Sequence, residues 1–208
     1  MRALAIAVAL AAAVPATARA QALAVDDVVK KVDVAKAGVE TLSGEFTQKN
    51  RVKLFKQELA SKGRLYFRQP RQIRWEYTSP DPSVMILDGN QARLVTPGAP
   101  AQTFDLAKDA TMRAIFEQLL TWLGPGSLAA AKSDYDLSAT GSAAAPVLVL
   151  TPKATSPVAK AFAKIDLRLD PKTWLMKAIV LVEKNGDEKE IDFSKLARNA
   201  KLPADAFK

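Results

Sequence analysis

Among its 208 residues the chain has no histidine and no cysteine. The first absence removes the side chain most used for proton transfer near neutral pH and the commonest metal ligand. The second removes the thiol nucleophile, any disulfide, and the acylated cysteine by which a lipoprotein is anchored. A Ser-His-Asp triad cannot be built. No glycine-rich phosphate loop opens a helix. The stretch 138–142 includes Gly141 but leads into no helical pattern, so it is a weak anion-site candidate. The acids fall at turns (Asp81, Asp88, Asp170, Asp187) or on polar strand faces (Glu45, Glu76, Asp166), where solvation and turn chemistry account for them. No catalytic residue, metal site or cofactor follows from these residues. They point to a binding protein and not to an enzyme.

Long apolar runs are also missing, save one at the start. Met1-Arg2 precedes an apolar stretch, 3–14, and then Ala18-Arg19-Ala20. This layout predicts a secretory signal peptide over 1–20, cleaved after Ala20 or Ala22. The stretch falls well short of the roughly 20 residues of a spanning helix. With no cysteine to acylate, the expected product, 21–208, is an exported, soluble periplasmic domain without a lipid anchor, and a monomer. The formal charge is +8, and loss of Arg2 and Arg19 with the signal leaves +6. The basic residues are scattered, and an exported chain does not meet nucleic acid, so no nucleic-acid partner is expected.

What is present is periodicity. Val25, Val28, Val29, Val32, Ala35 and Val39 recur at helical spacing, predicting a helix over 25–39 with Asp26 and Asp27 in its first turn. From Thr41 the period becomes two. Strands are predicted from 41, at 63–68, 73–77, 84–87 and 92–95, with 53–61 a turn or a strand end. A second helix over 111–123 carries Ile115, Phe116, Leu119, Leu120 and Leu123 on one side and ends at Gly124-Pro125-Gly126. Strands return at 135–137, 147–150, 165–169, 175–182 and 188–193, with 138–146 read as a loop and Asn185-Gly186 as a hairpin turn.

Strands, a helix, then strands make a single α+β domain. Nine or ten mostly antiparallel strands form a sheet large enough to curl, so the expected product is a strongly curved sheet or incomplete barrel with helices against its concave side. Its inward candidates in the first half are Phe46, Leu65, Phe67, Ile73, Trp75, Tyr77 and Leu94. Such a stripe ordinarily packs a core; the residues alone leave open whether it is filled or hollow.

The ordered set Phe46-Thr47-Gln48, Gly63-Arg64-Leu65-Tyr66-Phe67, Pro70, Trp75, Pro80, Asp88-Gly89 and Leu150-Thr151-Pro152-Lys153 closely resembles the periplasmic outer-membrane lipoprotein carriers, the LolA-like chaperones of the Lol pathway. The resemblance covers nearly all of 21–208 and is clearest over 42–95. It implies an unclosed β-barrel with an α-helical lid and an apolar cavity between them for lipoprotein acyl chains. It implies two protein partners, an inner-membrane Lol ABC transporter complex and an outer-membrane lipoprotein receptor. Phe46, Leu65, Phe67, Ile73, Trp75, Tyr77 and Leu94, with Ile115, Phe116 and Leu119 of the second helix, become candidate cavity lining. Family members commonly place an arginine before the proline that ends the second strand, where it helps hold the lid shut. Here that position is Gln69, with Arg68 before it and Arg71 after Pro70, so all three are latch candidates. The chain also stops at Phe207-Lys208, without the terminal segment of some members. These departures keep two alternatives in view: a divergent periplasmic carrier of another lipid or glycolipid, and a lipid-sensing regulatory domain of the same fold.

Overall fold

The two-residue periods become strands and the helical periods become helices. In the computed structural model, which describes residues 23–54, 57–124 and 126–208, helix α1 (Val25–Lys36) precedes six strands, β1 (Thr41–Val52), β2 (Gln57–Arg68), β3 (Gln72–Ser79), β4 (Ser83–Asp88), β5 (Gln91–Val95) and β6 (Gln102–Asp105). Helix α2 (Ala110–Leu123) and a 3₁₀ segment (Leu128–Ser133) follow. Five strands complete the chain: β7 (Tyr135–Ser142), β8 (Ala145–Pro152), β9 (Phe162–Leu169), β10 (Met176–Glu183) and β11 (Glu188–Arg198). The expected signal peptide lies outside the described residues.

All eleven strands form one antiparallel sheet in the order β6-β5-β4-β3-β2-β1-β11-β10-β9-β8-β7. The first and last strands therefore pair in its middle, with Phe46 opposite Phe193 and Gln48 opposite Ile191. The two edges, β6 and β7, are consecutive in sequence, and the segment joining them carries α2. The sheet is an unclosed barrel, and α2 belongs to the chain that passes from one lip to the other. The inward side chains pack with those of both helices into a single core.

Glycine makes room where this sheet is tightest. Gly63 stands opposite Phe46, and a Cβ there would strike the Phe46 ring and the Glu76 carbonyl. On the outward face, charges bridge the central seam. Arg51 of β1 meets Glu58 of β2 at 3.1 Å and Glu190 of β11 at 2.8 Å, and Arg168 of β9 reaches the same Glu190. Burial works against the charge of Glu190, but the Arg51 and Arg168 guanidiniums outweigh it and hold that carboxyl below its ordinary value.

Three strand features differ from expectation. Strand β6 was not predicted: Gln102-Thr103-Phe104-Asp105 has one apolar residue and no alternation, yet it pairs with β5 through its backbone. Within 53–61, expected as a turn or a strand end, the strand end is longer than the apolar pattern suggested: β2 begins at Gln57, opposite Val52 of β1. The Ala- and Ser-rich stretch 138–146 is a hairpin, with Ser138 opposite Val149 and Ser142 opposite Ala145. Ladder hydrogen bonds need no particular side chain, so such pairing leaves little trace in an apolar pattern. Helix α1 stops at Lys36, ahead of Gly38, whose φ of +73° takes the chain out of the helix.

Candidate functional site

The inward face is apolar along the whole sheet. In the first half Phe46, Leu65, Phe67, Ile73 and Trp75 are buried, Tyr77 and Leu94 partly so. The second half adds Leu148, Leu150, Ile165, Leu167, Ile179 and Ile191, all buried, which the first meander alone did not reveal. The signal was there: Ile165, Leu167 and Leu169 alternate with Asp166, Arg168 and Asp170.

The halves meet in an aromatic cluster. The Phe46 and Trp75 rings lie 4.5 Å apart, Tyr77 stands edge-on to Phe46 at 5.3 Å, and Phe193 edge-on to Trp75 at 6.1 Å. The Tyr77 hydroxyl donates to Gln48 Oε1 at 2.8 Å, and Gln48 Nε2 donates to Asn50 at 3.1 Å. This chain of polar contacts satisfies Gln48, which is buried beside the cluster.

Both helices cover this face. Val28, Val29 and Val32 of α1 and Phe116, Trp122 and Leu123 of α2 are buried against it. Leu119 is partly buried, whereas Ile115 is 44% exposed on the outer side of α2. Where Lys36, Leu42, Trp122, Leu123, Met176 and Phe193 converge beneath the helices, the gap is only about 20 Å³. Ligand pockets typically run to several hundred Å³, so this is the shut arrangement. Broader grooves of about 500 and 430 Å³ flank α1 at Lys30 and Val34, but no inward-facing sheet residue lines them.

Polar ties hold α2 from three sides. Arg71, in the β2–β3 turn, pairs with Glu117 at 2.7 Å and donates to the Gly89 carbonyl at 3.3 Å. The Tyr135 hydroxyl of β7 donates to Gln118. Lys36 of α1 donates to the Thr121 and Gly126 carbonyls, both at 2.6 Å, placing a cation at the end of α2 where the helix dipole favours one. Burial brings the Lys36 ammonium down to a pKa of about 8, with nearby Asp33 opposing the shift.

The latch candidates divide. Gln69 Nε2 donates to the Val39 carbonyl, just beyond α1, so it ties the sheet to the first helix and not to α2. Arg71 reaches α2. Arg68 does neither: it binds Gln72 at 2.5 Å and lies over the Phe207 ring at 4.7 Å. Lys36, Trp122, Tyr135 and Glu117 were not singled out from sequence. Lys36 did leave a sign, since it follows Val29 and Val32 on the apolar stripe of α1.

Residues 37–208 match the family described as outer membrane lipoprotein carrier protein LolA. The chain belongs to that family. It is 28% identical over 189 residues to the outer-membrane lipoprotein carrier protein of Xanthomonas oryzae pv. oryzae (strain MAFF 311018), covering 86% of this chain and 82% of that one. Among solved structures, MucB gives a TM-score of 0.53 at 18% identity, over 88% of this chain and 62% of that one. Mycobacterium tuberculosis lipoprotein LppX gives 0.50 at 11% identity, over 85% and 97%. These structural likenesses speak for the fold. The LolA-family relation and the fold agree on an unclosed barrel under a helical lid. Among the described residues no helix is long and apolar enough to cross a membrane, and no cluster of three acidic side chains offers a metal site.

Proposed function

We propose that this chain is a carrier of lipoproteins, taking them from the inner to the outer membrane across the periplasm by sheltering their acyl chains between sheet and helices. The observation that carries this reading is the continuous apolar inward face, covered by an α2 that polar ties hold in place. An acyl chain costs about 0.8 kcal/mol per exposed CH₂, so a free lipoprotein needs shelter in water. Family membership supports the cargo class. The residues 1–20 are its export signal. Loading comes from an inner-membrane ABC transporter complex and unloading goes to an outer-membrane receptor. The carrier itself is no enzyme.

Loading swings α2 outward about its C-terminal end, which stays tied to Lys36, so that acyl chains enter against Phe46, Leu65, Phe67, Ile73, Trp75 and Tyr77. Because the shut form must open first, the energy of opening subtracts from apparent affinity, and this makes release feasible. The test is release from inner-membrane vesicles that hold lipoprotein and the transporter. With ATP and this protein, lipoprotein is expected in the soluble fraction. If it stays in the membrane while the protein extracts another lipid class, the chain is a carrier of that lipid instead.

A further inference from the structure

The gap under the cover has polar groups in an otherwise apolar wall. Trp122 is 5% exposed, and its indole Nε1–H has no hydrogen-bond partner among the described residues. Lys36 is 3% exposed and commits two of its three N–H donors, to the Thr121 and Gly126 carbonyls. Both groups only donate. Leu42, Leu123 and Phe193 supply the hydrocarbon around them. Buried donors are nearly always matched in native structures, so an unmatched one beside a gap points to an acceptor that belongs there.

The gap also lies against the inward face of the sheet, since Leu42 of β1 and Phe193 of β11 line it. An oxygen in the gap would therefore lie beside the apolar wall. A carbonyl oxygen only accepts, which matches a site whose side-chain polar groups only donate.

We propose that this gap is the seat of an acyl carbonyl: on loading, an ester C=O of the cargo's diacylglyceryl group accepts a hydrogen bond from Trp122 Nε1, while the hydrocarbon tails run along the sheet. The proposal rests on the carrier reading above and adds which atoms of the lipid are recognised. It makes the site a reader of acyl esters as well as a shelter for hydrocarbon.

The test is calorimetric titration of the protein from residue 21 onward with dioctanoylglycerol and with its dialkyl ether counterpart, which has equal chains and no carbonyl. The ester is expected to bind about fivefold more tightly, the yield of one net hydrogen bond. Trp122→Phe keeps a ring and deletes the N–H; it should bring the ester down to the ether's affinity and leave the ether unchanged. Equal binding of ester and ether by the unaltered protein overturns the carbonyl seat and leaves the carrier reading standing. Binding of neither overturns both. A Trp122→Phe protein that keeps the ester preference assigns the carbonyl to another donor and also overturns the proposal. If that variant does not fold, the ester–ether comparison on the unaltered protein decides.

Discussion

Helix α1 turns Val28, Val29 and Val32 into the core and lies against β7 and β8, with Asp26, Asp27, Lys30 and Lys31 in solvent. Helix α2 has more apolar residues and buries fewer of them. Phe116, Trp122 and Leu123 are buried, but Met112, Leu119 and Leu120 are only partly covered and Ile115 is exposed. Its fixing comes instead from polar contacts at Glu117, Gln118 and the Thr121 carbonyl, one each to the β2–β3 turn, β7 and α1. The difference sets the two helices apart in what would have to be broken to move each of them. Apolar packing is lost gradually over a large area, while a few hydrogen bonds and an ion pair can be broken and remade with little barrier. In this contrast α1 is part of the wall and α2 is the cover.

The hardest test of that division compares two phenylalanines, each 0% exposed, Phe67 in the sheet and Phe116 in α2. Phe67→Ala should cost about 3–5 kcal/mol in chemical unfolding, as for other buried aromatic truncations. Phe116→Ala should cost less than half as much globally, because α2 opens before the sheet does. Its main effect should be faster hydrogen exchange confined to the α2 amides. Equal global costs, with exchange raised throughout, would mean that α2 is as much wall as α1.

A second test removes the tie between the helices. Lys36→Met deletes two charge-assisted hydrogen bonds and also a buried charge. The loss should be about 2 kcal/mol, because the Thr121 and Gly126 carbonyls lose their donor. The pH dependence separates Lys36 from its surroundings. Its pKa is lowered in the folded protein to about 8, below the ordinary 10.5, so between those values the unfolded chain holds more protons. Its contribution to stability therefore rises with pH over that window. Denaturation midpoints of the unaltered protein should gain on those of Lys36→Met from about pH 8 upward; parallel curves would remove Lys36 from the account.

Much of the wall is legible from sequence because its period is two. Leu65 and Phe67 share a face within β2, and Ile73 and Trp75 within β3, whatever the pairing, while the apolar pattern selects the register that brings Phe46 to the same side. The cover is less legible. That Phe116 would be buried and Ile115 exposed depends on how α2 rotates on the sheet, and the apolar stripe contains both. Strand β6 and the 138–146 hairpin are held by backbone pairing, which apolar patterning does not report. Whether the inward face is filled was open, because the filling comes from helix side chains whose depth no spacing fixes. What each latch candidate touches was not legible, because it depends on where the turn after β2 sets Gln69 and Arg71. Arg68, one residue from the family position, turns to Phe207 instead of the cover, as a one-residue shift along a strand requires. Lys36 was hidden by its chemistry, since a lysine at the end of a helix ordinarily reads as a solvated charge.

The smallest effect expected is at the Arg71–Glu117 pair, and it carries the sharpest information on the cover. Glu117 is about half exposed, with 48% of its side chain accessible, and Arg71 is 32% accessible. Solvent screening at such exposure leaves the pair about 0.5 kcal/mol. Arg71→Ala, Glu117→Ala and the double variant form a cycle in which only their coupling survives. If the pair forms only when α2 is shut, the coupling should appear in the rate at which an apolar dye enters the interior as well as in unfolding. It should weaken in both as salt rises, since exposed charges are screened over about 10 Å at 0.1 M. Coupling in unfolding without any in dye entry would mean that the pair persists while the interior opens, and the hinge would then have to lie within α1 and not at the ends of α2.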